Sequence, residues 1–212
     1  MAVATGMGHG TLDWYERELG WATSGHTPVE LLTGLRFDVL DVPAAAGLAV
    51  LRRIARTGPA ALAGERILLL VAAGSADELP GLLDWLEWGG IELDLTVRGA
   101  GGRVPAPVVP GEAGYRSDTA PATATAGDRH RPMWLRPPEP GREVEPTLPS
   151  LSVCAGGGGP GGTGPVGLVP LVGAVATECH RTRILSARTD QPCAFSYASR
   201  MVAGTRPRSL TS

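Results

Sequence analysis

From Ile91 to Arg98 apolar and polar residues alternate without a break. Ile91, Leu93, Leu95 and Val97 fall on one side of an extended chain, and Glu92, Asp94, Thr96 and Arg98 on the other. A period of two is that of a strand with one buried face. Upstream, Ile67 to Ala72 is an unbroken apolar run, the pattern of a strand covered on both faces. Arg36 to Val42 (RFDVLDV) reads as a third strand that mixes apolar and acidic residues over both faces. Two stretches carry the helical period instead. One starts at Pro43, where a missing N–H costs nothing, places Leu48, Leu51 and Ile54/Ala55 inward, runs to about Arg56 and stops at Gly58-Pro59. The other begins with Ser75 and Glu78 spaced as a capping box and tolerates Pro80 in its first turn. It lines up Leu79, Leu82, Leu83 and Leu86, runs to about Trp88 and closes at Gly89-Gly90. A short strand at Ala60 to Leu62, followed by the turn Ala63-Gly64-Glu65, completes the order βαββαβ. This is the ferredoxin-like or split βαβ arrangement of the mixed α/β (α+β) class.

Thr11 is placed to cap a leading helix that runs to Leu19 and stops at Gly20, with Leu12, Tyr15 and Leu19 on one face. A loop and a short strand ending near Leu32 follow. At the other end the turn Gly99-Ala100-Gly101-Gly102 leads into a proline-interrupted edge strand, RVPAPVV. The pattern therefore predicts one folded domain over residues 11–115. Residues 116–166 read as a largely disordered Pro/Gly-rich linker, because such composition buries too little apolar surface to offset its ordering entropy. Trp134-Leu135 inside it is open to two readings, docking on the domain or solvation. Residues 167–212 read as a helix, Leu168 to Leu185 with a stripe at Leu171/Val172, Val175 and Cys179, followed by a basic tail.

Charge sharpens this division. Residues 1–100 carry 13 acidic residues against 7 Arg, a net of −6, whereas residues 181–212 carry 1 against 6, a net of +5. The acidic domain repels a phosphate backbone, so nucleic acid is supported as a partner only by the tail. All 19 basic residues are Arg and the chain has no Asn, as expected of a GC-rich genome such as an actinobacterium's. The start MAVATGMGHG has no basic-then-apolar leader and no segment has the ~20 continuous apolar residues of a membrane span, so the expectation is a cytoplasmic protein with no membrane partner. Cys154, Cys179 and Cys193 are then reduced thiols.

Carboxylates on the strands of a βαββαβ unit suggest phosphoryl transfer, in which two or three of them hold paired divalent metals. The candidates are Asp38, Asp41 and Asp94. The segments WYERELGWAT, TGLRFDVLDVPAAAG, GERILLLVAAGS and LDLTVRGAGGRVPAPVVPG, over roughly residues 12 to 115, resemble in order the leading helix, acidic strand, central strand and Arg-Gly hairpin of bifunctional DNA primase/polymerase N-terminal domains. The chain is most similar to shortened, divergent members of that family from actinobacteria. The resemblance implies an Asp-x-Asp on the first strand, but the chain reads Leu40-Asp41-Val42-Pro43, with proline at the second carboxylate. It implies a phosphate-contacting histidine on the central strand, and Arg66 to Ala72 has none. It implies a third carboxylate two residues before the Arg-Gly, where Thr96 stands; Asp94 is two residues earlier on the same face.

With two of three ligands replaced, the resemblance implies a catalytically degenerate domain that acts by binding a nucleotide, nucleic acid or protein, with no cofactor. The alternative is a weakly active nucleotidyltransferase in which Asp41 and Asp94 hold one Mg²⁺ or Mn²⁺ and Arg98, Gly99, Gly101 and Gly102 face the phosphates. A third reading is an interaction protein recruited through Trp85 and Trp88, spaced i, i+3, or through the basic segment 181–212. The remaining signals are weaker. The glycine turn leads into a strand, as a hairpin does, and Arg98 and Arg103 suit a solvated edge. In Glu178-Cys179-His180, neighbours on a helix point apart. Phe37 alone is too little aromatic surface for base stacking on the central strands.

Overall fold

The structure, a computed structural model, describes residues 7–110, 131–151 and 165–189. Its elements are α1 (Met7–Asp13), β1 (Glu30–Leu32), β2 (Phe37–Pro43), α2 (Ala44–Arg53), β3 (Ala60–Ala63), β4 (Arg66–Ala72), α3 (Ser75–Trp85), β5 (Thr96–Arg98), β6 (Arg103–Pro105), β7 (Met133–Arg136) and α4 (Leu168–Thr189). A π-helical turn, Trp14–Glu18, continues α1, and a 3-10 turn, Glu145–Thr147, follows β7. Five strands form one antiparallel sheet in the order β5-β2-β4-β3-β7, while β1 and β6 pair with each other. Within the predicted βαββαβ run the spatial order is thus fourth, first, third, second. None of the described helices is long and apolar enough to cross a membrane.

The centre of the sheet is the β2–β4 pair, in register from Phe37↔Ala72 to Pro43↔Arg66. Strand alternation sends Leu40, Val42, Ile67, Leu69 and Val71 to one face, where they meet α2, α3 and α4. Phe37, Val39, Leu68 and Leu70 go to the other, under Tyr15, Trp21, Leu31, Val104, Trp134 and Leu148. Both faces are covered, which is why Ile67 to Ala72 carries no polar residue. Gly47 lets α2 lie flush on β4, because a methyl group there would collide with Cβ and Cγ1 of Ile67.

Several sequence expectations are corrected. The first helix already includes Met7, so Thr11 lies inside it. In α2 the buried residues are Ala46, Gly47, Val50 and Leu51, and Leu48 is exposed, since the close approach at Gly47 selects the small face. That helix ends at Arg53 with Ile54 as its C-cap, and Arg136 of β7 donates to the carbonyls of Leu51 (2.6 Å) and Ile54 (2.9 Å). A cation there also meets the negative end of the helix dipole. At α3 no side chain of the helix caps the N-terminus and Gly74 is the N-cap, so Ser75 and Glu78 form no capping box. The helix closes at Glu87, at φ 65°, with Trp88 N–H returning to the Leu83 carbonyl, before Gly89-Gly90 is reached.

The alternating stretch pairs as a strand only over Thr96–Arg98. Its first half keeps the predicted parity, with Leu93 and Leu95 inward, but its backbone turns to α4 instead of β2. Arg183 donates to the carbonyl of Glu92, and Cys179 to that of Asp94 at 3.8 Å. Residues 131–151, read from composition as linker, instead supply β7 and bury Trp134, Val144 and Leu148. Residues 116–130 and 152–164 lie outside the described residues. The helix α4 packs on α2 with Leu168, Leu171, Val172, Val175 and Cys179 buried, each leucine or valine contributing about 1.5–3 kcal/mol on burial.

One buried hydrogen-bond relay joins three separate segments. Tyr15 Oη donates to the Pro107 carbonyl at 2.7 Å and accepts from Trp134 Nε1 at 3.0 Å. Replacing Tyr15 by Phe strands an indole N–H and a carbonyl together, at a cost of about 1–3 kcal/mol. Urea unfolding of Y15F is expected to show that loss with an unchanged m-value. A loss within error would mean that the relay carries no stability.

Candidate functional site

Three of the residues singled out in the sequence meet at the Asp41 end of the sheet, on the face away from α2, α3 and α4. Strand register sets Asp41 opposite Thr96 and Val39 opposite Arg98. Arg66 starts β4, opposite Pro43. Its guanidinium makes three contacts: Nε to Asp41 Oδ1 at 2.6 Å, Nη2 to the Asp41 carbonyl at 2.9 Å, and Nη1 to Asp94 Oδ1 at 2.6 Å. Arg98 Nη2 approaches Asp41 Oδ2 more loosely, at 3.4 Å. The Asp41 side chain is 10% exposed, that of Asp94 61% and that of Arg98 48%. Burial of the Arg66 guanidinium works against its charge, but the hydrogen bonds to Asp41 and Asp94 outweigh it and move its pKa up. The structure therefore brings Asp41, Asp94 and Arg98 together, with Arg66, which the sequence reading did not single out, between the carboxylates. The signal available was a charged residue at the start of an otherwise wholly apolar strand.

Divalent metal is what the family resemblance would place between these carboxylates. Here a guanidinium fills that position and supplies the positive charge, and the second and third ligand positions are Pro43 and Thr96. Among the described residues no group of three or more His, Cys, Asp or Glu could hold a metal. With Arg66 in place the residues do not fit the ion.

Asp38 is separated from this cluster. Three residues from Asp41 on a strand, it faces the opposite side, where it is 1% exposed and accepts from the Ala76 amide at 2.8 Å. It thus takes the capping role expected of Ser75. Its Oδ1 accepts no hydrogen bond of normal geometry among the described residues. Burial raises its pKa, opposed by the amides of Ala76, Gly74 and Gly34.

The glycine turn is closed on itself. Gly102 N–H donates to the Gly99 carbonyl at 3.0 Å, and Gly101 takes the positive φ (73°) that the turn needs. Thr33, buried, donates from Oγ1 to the Gly99 carbonyl (2.6 Å) and from N–H to the Gly102 carbonyl (3.0 Å). Gly99 and Gly102 are thereby tied inward to the Thr33-Gly34 turn. Arg103 lies 3.8 Å from Glu30.

Trp85 is 71% exposed, whereas Trp88 packs edge-on against His180 of α4 with ring centroids 5.7 Å apart. Glu178, Cys179 and His180 point three ways: Glu178 to Arg53 at 2.9 Å, Cys179 into the core, His180 to Trp88. Burial pushes the Cys179 thiol up to about 12, so it stays protonated as a donor to Asp94. In the basic segment 181–212, Arg183 is paired with Glu92 (2.8 Å), and residues 190–212 lie outside the described residues. Compared with protein-family models, curated proteins and solved structures, the chain matches none.

A carboxyl whose pKa is raised in the fold favours its neutral form. Asp38 stabilises fully below the ordinary Asp value of about 3.9, and that contribution is lost as pH rises through the raised value. Asn at this position can keep the Ala76 hydrogen bond without the charge. The stability of D38N relative to wild type is therefore expected to improve from pH 3 to pH 7 in denaturant titrations. A difference that is flat or declines with pH would contradict the assignment.

Proposed function

We propose that this chain is a degenerate primase/polymerase-like domain that acts by binding, with a nucleotide as its ligand and no metal-dependent catalysis. The observation that carries the reading is the register at the end of β2. Asp41 stands opposite Thr96 on β5, and the residue two beyond it is Pro43, where the strand ends and α2 begins. Of three positions at which the resembling family uses carboxylates, one keeps its acid. The sheet order β5-β2-β4-β3, with α2 and α3 as the connections, supports reading this part as a ferredoxin-like unit. The exposed Arg98, loosely held by Asp41, is the cation left to meet a phosphate.

The test is a thermal-shift titration of the full chain with dNTPs and NTPs in EDTA and in Mn²⁺, paired with a primer-extension assay. Nucleotide at 100 times its Kd adds about 2.7 kcal/mol, or roughly 5–10 °C for a protein of this size. The expected outcome is a shift in EDTA that Arg98→Ala removes, and no extension. Extension that is lost in Asp41→Asn would replace this reading with the nucleotidyltransferase. No shift with any nucleotide would refute the nucleotide ligand and favour a protein partner, for which the exposed Trp85 is the first residue to test.

A further inference from the structure

We infer that Arg66 is the resident cation of the Asp41–Asp94 site, a side chain standing where a divalent ion would otherwise be held, and that the site takes no metal. The inference holds whether or not the nucleotide reading does, since it rests on the contacts of Arg66 alone. Each guanidinium nitrogen has its own oxygen: Asp41 Oδ1, the Asp41 carbonyl and Asp94 Oδ1, at 2.6, 2.9 and 2.6 Å. A guanidinium is planar, permanently charged and presents its donors in a fixed fork, so one side chain can serve a buried and an exposed carboxylate together. A metal ion entering there would have to displace the fork and leave its charge unpaired beside the ion. Lysine, a single point charge, would not span the same three oxygens.

The clamp also has a structural reach that a diffusible ion would supply only while bound. Asp94 carries Arg66 on its carboxylate and Cys179 of α4 on its carbonyl, and Glu92, two residues earlier, carries Arg183 of α4. Arg66 therefore joins β2 and β4 to the segment on which α4 rests, with no dependence on metal supply.

The experiment is differential scanning fluorimetry of the full chain, after EDTA treatment, against MnCl₂ and MgCl₂ alone. The expected result for wild type is no saturable shift with either ion. Arg66→Ala is expected to melt lower by on the order of 5 °C, because the nearly buried Asp41 is left with only the loose contact of Arg98, and Arg66→Lys to recover only part of that loss. A saturable Mn²⁺ shift in wild type that disappears in Asp41→Asn would overturn the inference, as would Arg66→Ala melting with wild type. A metal-free shift with nucleotide leaves this inference standing, and its absence removes only the nucleotide reading.

Discussion

One charged side chain at the mouth of an apolar strand holds this end of the molecule together. Arg66 begins β4, and its guanidinium reaches across to the side chain and the carbonyl of Asp41 on β2 and outward to Asp94. Asp41 is nearly buried, so its charge requires a partner. A partner of one positive charge in a planar fork satisfies the carboxylate and the neighbouring carbonyl at once. The position of the 92–95 segment follows from that clamp on one side and from α4 on the other.

The α4 helix is the second constraint. Its buried stripe closes the core over α2 and the sheet, and two of its charged side chains are paired: Glu178 with Arg53, Arg183 with Glu92. At the far edge β7 does comparable work, since Arg136 caps the end of α2 and Trp134 completes the hydrogen-bond relay with Tyr15. Elements from the last 80 residues therefore finish a sheet whose first four strands lie between residues 37 and 98.

The order βαββαβ was legible because β2, β4 and the two connecting helices are written in periodicity and in Gly and Pro punctuation. Even the short β3, Ala60–Ala63, falls at the strand expected over Ala60 to Leu62. What periodicity could not say was where backbone groups would find partners. The Ile91–Arg98 alternation has the right parity, yet its first half pairs with α4 because Arg183 and Cys179 lie within reach. Capping departs from the local rule for a similar reason. Ser75 and Glu78 satisfy a local rule, but Asp38, 38 residues before Ala76, reaches the helix first. Trp134 and Arg136 sit in a segment of loop-like composition, and their roles depend on contacts with Tyr15 and α2 that no local pattern records. At the site, Asp41 and Asp94 are legible as carboxylates on strands and Arg98 as the arginine before the glycine turn; register sets Asp41 and Arg98 side by side, and the contact with Arg66 draws in Asp94. Arg66 was hidden because a lone arginine beside an apolar run reads as a solvated strand end.

Arg66 and Asp41 act as one unit, and a double-mutant cycle measures their coupling directly. Stabilities of wild type, D41N, R66M and D41N/R66M would be obtained from urea unfolding in EDTA. A partly buried, charge-assisted pair predicts a coupling energy of about 1–3 kcal/mol, with the double variant less damaged than the sum of the single ones. Additive losses, with coupling below about 0.5 kcal/mol, would contradict the account and return Arg66 to the status of an ordinary surface residue.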